Sequence, residues 1–136
     1  MKSHHTRVRL KRFQLAEKRR RVAQIETMIA DFQRMAGELE REIAAEQQRS
    51  GIHDPAHFAY PTYAKAAIAR RDNLKRSAGE LTTQLQEAKT ALQEAFEEIE
   101  RTESLVARNH DRTTDEVRID SKSDSVTALR AGSALA

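Results

Sequence analysis

The chain has no cysteine and no tryptophan, and its 136 residues include only two prolines, four glycines, two tyrosines and four phenylalanines. Each shortage excludes something. Without cysteine there is no disulfide scaffold, no thiol nucleophile and no Cys-based zinc or iron-sulfur site, and a reducing compartment fits. So few rings cannot fill the centre of a conventional domain, so the apolar residues must lie in a narrow stripe. The longest aliphatic run, Ala66 to Ala69, is far short of the ~18 residues that would suggest a membrane span. The basic N-terminus has no apolar stretch behind it, so no secretory signal is expected. The glycines, at 37, 51, 79 and 132, build no phosphate-cradling loop.

What is present is 38% hydrophobic and 33% charged, the balance of long, surface-rich helices. From Ser3 to Arg49 there is no proline and one glycine, Gly37. A seven-residue repeat runs through this stretch, with Val8, Leu15, Val22, Ile29, Ala36 and Ile43 at one seam position and Ile25, Phe32 and Leu39 at the other. Lys11 and Lys18 take that second position near the N-terminus. Ser50-Gly51-Ile52-His53-Asp54-Pro55 is the one strong breaker cluster, with Gly51 suited to a left-handed helix cap and Asp54-Pro55 to a helix start. Pro61 either kinks this turn or begins the next helix. The seam resumes as Leu74, Leu81, Ala88 and Ala95, with Ala78, Leu85, Leu92, Ile99 and Val106.

These patterns predict an all-α fold, with two long helices forming an antiparallel coiled-coil hairpin and a disordered or frayed C-terminal tail. The boundaries expected are a helix over 4–49, a turn over 50–61, a helix over 62–109 and a flexible tail over 110–136, where Ser, Thr and mixed charge replace the seam. Charge supports the antiparallel sense. Residues 1–24 carry nine Lys/Arg against Glu17, and residues 80–103 carry seven Glu against Lys89 and Arg101. If the chain reverses near residue 55, positions whose numbers add to roughly 107–114 face each other, which sets Arg7 to Arg21 beside Glu94 to Glu103.

Candidate chemistry is sparse. His53 and His57 flank Asp54 at a zinc-like spacing, but no third ligand is near and the segment straddles a turn, so neither metal nor cofactor is expected. The carboxylates at 94–103 read as a solvated face, because a pair of helices encloses no pocket for general acid chemistry. An enzyme is not expected. Lys18 to Arg21 beside heptads suggests a basic DNA reader, yet the seam runs straight through the block, so sequence-specific nucleic-acid binding is not expected. Leu10 and Phe13 fall outside the seam, next to Glu17 and Arg20, and either anchor a partner or clasp the C-terminal segment. Phe58, Tyr60 and Tyr63 gather half of the aromatics at the turn, either as a plug or as a second contact patch.

The opening Arg9-Leu10-Lys11-Arg12-Phe13-Gln14-Leu15-Ala16-Glu17-Lys18-Arg19-Arg20, the turn Ser50-Gly51-Ile52-His53-Asp54-Pro55-Ala56-His57-Phe58-Ala59-Tyr60-Pro61-Thr62-Tyr63, and Arg70-Arg71-Asp72-Asn73-Leu74 resemble the flagellar export protein FliJ family over roughly residues 6–109. The resemblance implies a soluble component of the flagellar type III protein export apparatus, built like the coiled-coil stalk of rotary ATPases. It implies that the part carrying both termini enters a hexameric flagellar export ATPase, which maps onto Leu10, Phe13, Glu17 and Arg20. It also implies that a face of the second helix meets the cytoplasmic domain of the export gate, which maps onto Tyr63, Ala67, Arg70 and Leu74. Export chaperones are further implied partners. The implied location is cytoplasmic, peripheral at the inner face of the cell membrane through those partners. The alternatives are a basic coiled-coil nucleic-acid-binding protein and a generic coiled-coil scaffold.

Overall fold

A computed structural model describes residues 2–134, with side chains described for residues 3–117. The fold is all-α: α1 spans Lys2–Ser50 and α2 spans Thr62–Ala134. The chain divides into two compact units, one formed by Leu15–Glu94 and the other by Met1–Gln14 with Ala95–Ala136.

Leu15–Glu94 is an antiparallel helical hairpin. Its core is a single stripe: Leu15, Ile25, Ala36 and Ile43 from α1 lie against Tyr60, Ala64, Ala67, Ala78 and Leu81. Val22, Ile29, Phe32 and Leu39 are half-buried in the same register. Every apolar seam position expected in this unit is therefore buried or half-buried, as interlocking side chains at 3.5-residue spacing require, and Lys18 at the second position is exposed. The structure carries the seam further toward the turn than the sequence reading did. Counting back by sevens from Leu74 and Ala78 reaches Ala67, Tyr60, Arg71 and Ala64, and Ala64 is fully buried. Two of these four places, Ala64 and Ala67, hold alanine, and both are buried.

The turn is held by identifiable bonds. Gly51 has φ +74°, and its N–H donates to the Gln47 carbonyl at 2.9 Å, which is the left-handed cap that glycine favours. Asp54 Oδ1 accepts from the Ala56 N–H at 2.9 Å, and the Asp54 carbonyl accepts from the His57 N–H at 3.0 Å. Asp54-Pro55 thus closes a local turn and does not open the second helix. Pro61 settles the other alternative: its carbonyl accepts the Lys65 N–H at 3.1 Å, the first bond of α2.

In the unit of residues 1–14 and 95–136, Ile99 is the buried side chain, with Val8, Ala95 and Val106 half-buried around it. Two ion pairs cross between the helices. Lys11 donates to Glu98, and Arg12 Nη2 lies 2.5 Å from Glu103 Oε1. α2 runs as helix to Ala134, past the expected limit near 109. The expected end of the seam at Val106 is observed, since residues 107–117 are all exposed. The helix continues there by its own backbone bonding, and the Thr113 and Thr114 hydroxyls also donate to the Asn109 and His110 carbonyls at 2.9 Å. For residues 118–136, the tail expectation concerns side chains that lie outside the described residues.

Candidate partner-binding surfaces

Leu10 and Phe13 are 54% and 61% exposed. The geometry of α1 explains why. At ~100° per residue both sit roughly 150° from the Val8–Leu15 seam, while Lys11 and Arg12 lie on the α2 side and make the cross-helix ion pairs. The heptad that buries Val8 therefore turns Leu10 and Phe13 outward. The alternative in which the C-terminal segment clasps them falls on side chains outside the described residues.

Glu17 and Arg20 belong to the other unit. Their side chains, each more than half exposed, pair with one another at 2.7 Å across one turn of α1.

The second candidate face is divided. Ala67 is 4% exposed and belongs to the seam, and Leu74 is half-buried in it. Tyr63 and Arg70 point outward. The spacing of four, three and four that links these residues is also the spacing of the heptad, so part of the expected contact face coincides with the packing stripe. Tyr63 is 56% exposed, and its hydroxyl donates to Glu42 Oε2 at 2.7 Å. That bond and the Glu42 charge raise the Tyr63 pKa above its ordinary value.

The aromatics of the turn take different roles. Tyr60 is 7% exposed and its hydroxyl accepts from Gln47 Nε2 at 3.0 Å, so it is the plug. Phe58 is 96% exposed and stacks on His57 with ring centroids 4.7 Å apart. Phe58 and Tyr63 thus remain available as a contact patch.

The charge blocks meet more sparingly than expected. Lys11 and Arg12 find Glu98 and Glu103, but Arg7, Arg9, Lys18, Arg19 and Arg21 make no ion pair among the described residues. The hydrogen bond and charge of Lys11 hold the Glu98 carboxyl below the usual carboxylate range, and Lys75 does the same to Glu40 at 2.5 Å. Among the described residues no group of three or more His, Asp or Glu side chains could hold a metal ion. No helix among them is long and apolar enough to cross a membrane.

A shallow groove along one side of the helix pair was not visible in the sequence. It has a volume of about 840 Å³ and is lined by Val8, Val106 and Ala107 with Arg9 and His110 among the polar neighbours. Its depth depends on packing that a heptad count does not report.

The fold and these surfaces define a coiled-coil hairpin whose outer positions carry the features available to partners. Comparison with protein-family models, with curated proteins and with solved structures gives no match.

Proposed function

We propose that the chain is a stalk and adaptor of a flagellar type III protein export apparatus, binding a hexameric export ATPase and the cytoplasmic domain of the export gate. The role is binding, not catalysis. The observation that carries the reading is the outward placement of Leu10 and Phe13, two large apolar side chains that the intramolecular seam does not use. It agrees with the position that the resemblance to the FliJ family assigns to the ATPase contact. Tyr63 and Arg70, the exposed half of the second face, are the residues through which the gate contact would run, with export chaperones as further partners. The location that goes with this reading is the cytoplasm, with peripheral attachment at the inner face of the membrane through partners.

The test is a titration of the chain into a purified hexameric flagellar export ATPase. Saturable stimulation of ATP hydrolysis with co-migration on gel filtration is expected. No stimulation and no co-migration at micromolar concentrations contradicts the reading.

One observation favours a second reading, that of a nucleic-acid-binding coiled coil. Arg7, Arg9, Lys18, Arg19 and Arg21, which make no ion pair among the described residues, would supply the phosphate contacts. Binding by phosphate contacts alone gives Kd in the ~10⁻⁴–10⁻⁶ M range and falls steeply with salt. Nanomolar, sequence-selective binding at physiological salt would promote this reading over the first.

A further inference from the structure

The groove beside Val8 and Val106 goes beyond the surfaces the proposed function uses, because Leu10 and Phe13 take no part in it. Its lining follows from helix geometry. His4, His5, Val8, Arg9 and Arg12 recur on one side of α1, and Glu103, Val106, Ala107 and His110 recur on the facing side of α2. The floor is aliphatic, made of Val8 and Val106 at half-buried positions and the exposed Ala107.

The rim has a definite sign. Glu103, the acidic residue of the lining, already accepts from Arg12 Nε and Nη2 at 3.2 and 2.5 Å. Arg9 makes no ion pair among the described residues. Around it stand the imidazoles of His4, His5 and His110, each with an N–H to donate. An aliphatic floor with a cationic, donor-rich rim, running between two antiparallel helices, matches the requirements of a third helix. Such a helix places apolar anchors at i, i+3, i+4 and i+7 into the groove and charged residues at its edges.

We propose that this groove receives one amphipathic helix of a partner protein, with an aliphatic stripe against Val8, Val106 and Ala107 and glutamates or aspartates facing Arg9 and the histidines. A nucleic-acid backbone would satisfy Arg9 but leave the aliphatic floor uncovered. A basic helix would meet Arg9 with like charge.

The test uses the full chain and two designed peptides of about three heptads, both with Leu and Ile at the seam positions. One carries Glu at the flanking positions and the other Lys. Fluorescence anisotropy is expected to show saturable, one-to-one binding of the Glu peptide with Kd in the micromolar range, and at least ~tenfold weaker binding of the Lys peptide. Arg9→Glu reverses an exposed, unpaired charge and is expected to weaken binding of the Glu peptide at least ~tenfold. Ala107→Phe fills the groove from an exposed position and is expected to block it. Circular dichroism on both variants checks that helicity is unchanged.

Equal affinity for both peptides, no binding of the Glu peptide at millimolar concentration, or binding that both well-folded variants retain overturns the proposal. Two further outcomes reassign the occupant and also overturn it. In one, sedimentation finds a dimer that Ala107→Phe dissociates. In the other, Ala107→Phe abolishes binding of a duplex oligonucleotide. The assay contains no ATPase, so its failure and the failure of the stalk reading are separate events.

Discussion

Within Leu15–Glu94 the heptad buries Leu15, Ile25, Ala36, Ile43, Ala64, Ala67, Ala78 and Leu81 among half-buried neighbours, whereas in the unit of residues 1–14 and 95–136 the same register buries Ile99 and leaves Val8, Ala95 and Val106 half-open. The difference lies in what occupies the seam. Ile25, Phe32 and Leu39 fill the second position in the first unit after an exposed Lys18 at its edge, and Lys11 fills it in the other, with its stem half-buried and its ammonium on Glu98. Apolar burial stabilises by roughly 25 cal/mol per Å² and is not screened, while exposed ion pairs contribute little and are screened. One unit is held by packing and the other leans on charge, which leaves the latter more surface for partners.

The largest expected effect breaks the comparison at its packed side. Ile25 is 1% exposed, and Ile25→Ala should cost about 2–5 kcal/mol in a denaturant titration. Val8→Ala, at a half-buried position of the other unit, should cost about 1 kcal/mol or less. Equal losses would erase the distinction between the units.

Backbone substitutions sharpen it next. Gly51 has open space for a Cβ but a φ of +74°, so Gly51→Ala should destabilise by about 1–2 kcal/mol. Gly79 lies inside α2 with nothing within 4 Å of an added Cβ, so Gly79→Ala should stabilise by up to about 1 kcal/mol. Thermal melts of the two variants should shift in opposite directions. Tyr60→Phe removes the acceptor of Gln47 Nε2 in the turn and should cost about 0.5–1.5 kcal/mol.

The smallest effect concerns pH. Glu98 and Glu40 titrate below the ordinary carboxylate value of 4.5 because of Lys11 and Lys75. A depressed folded-state pKa stabilises the fold above the unfolded value, and that contribution is lost as pH falls through the folded value. Melting temperature should therefore be flat from neutrality to about pH 5 and decline below it. High salt should flatten the decline, and Lys11→Met should reduce it. Tyr63 has the opposite sign: its raised pKa favours the fold below pH 10, and the benefit disappears as pH rises through the folded value.

Much of this fold was legible in the sequence, because seam residues, turn residues and charge blocks pointed to one hairpin. The seam from Val8 to Ile43 and from Leu74 to Val106 required only a count by sevens. Gly51 required only the rule that left-handed backbone favours glycine. The sequence marks where the seam ends, at Val106, and α2 continues past that point on its own backbone bonds because losing the seam removes tertiary packing and not helix. Ala67 was set on a contact face by the resemblance to the FliJ family, not by its own spacing, and the packing of α1 on α2 shows that it is buried. Leu10 and Phe13 were identified by elimination, as the large apolar residues the seam does not need.

The central claim is that the seam holds the fold and the outer face of α1 holds the partner. A melting curve and an export-ATPase stimulation titration on Leu10→Ala/Phe13→Ala, with Ile25→Ala as the comparison, test it most directly. The outer-face variant should melt within a degree or two of the parent and lose at least ~tenfold in apparent affinity, as buried apolar anchors do. Ile25→Ala should melt early and stimulate normally at temperatures where it is folded. An outer-face variant that melts as early as Ile25→Ala while stimulating the ATPase like the parent would show that Leu10 and Phe13 serve the fold, and would contradict the account.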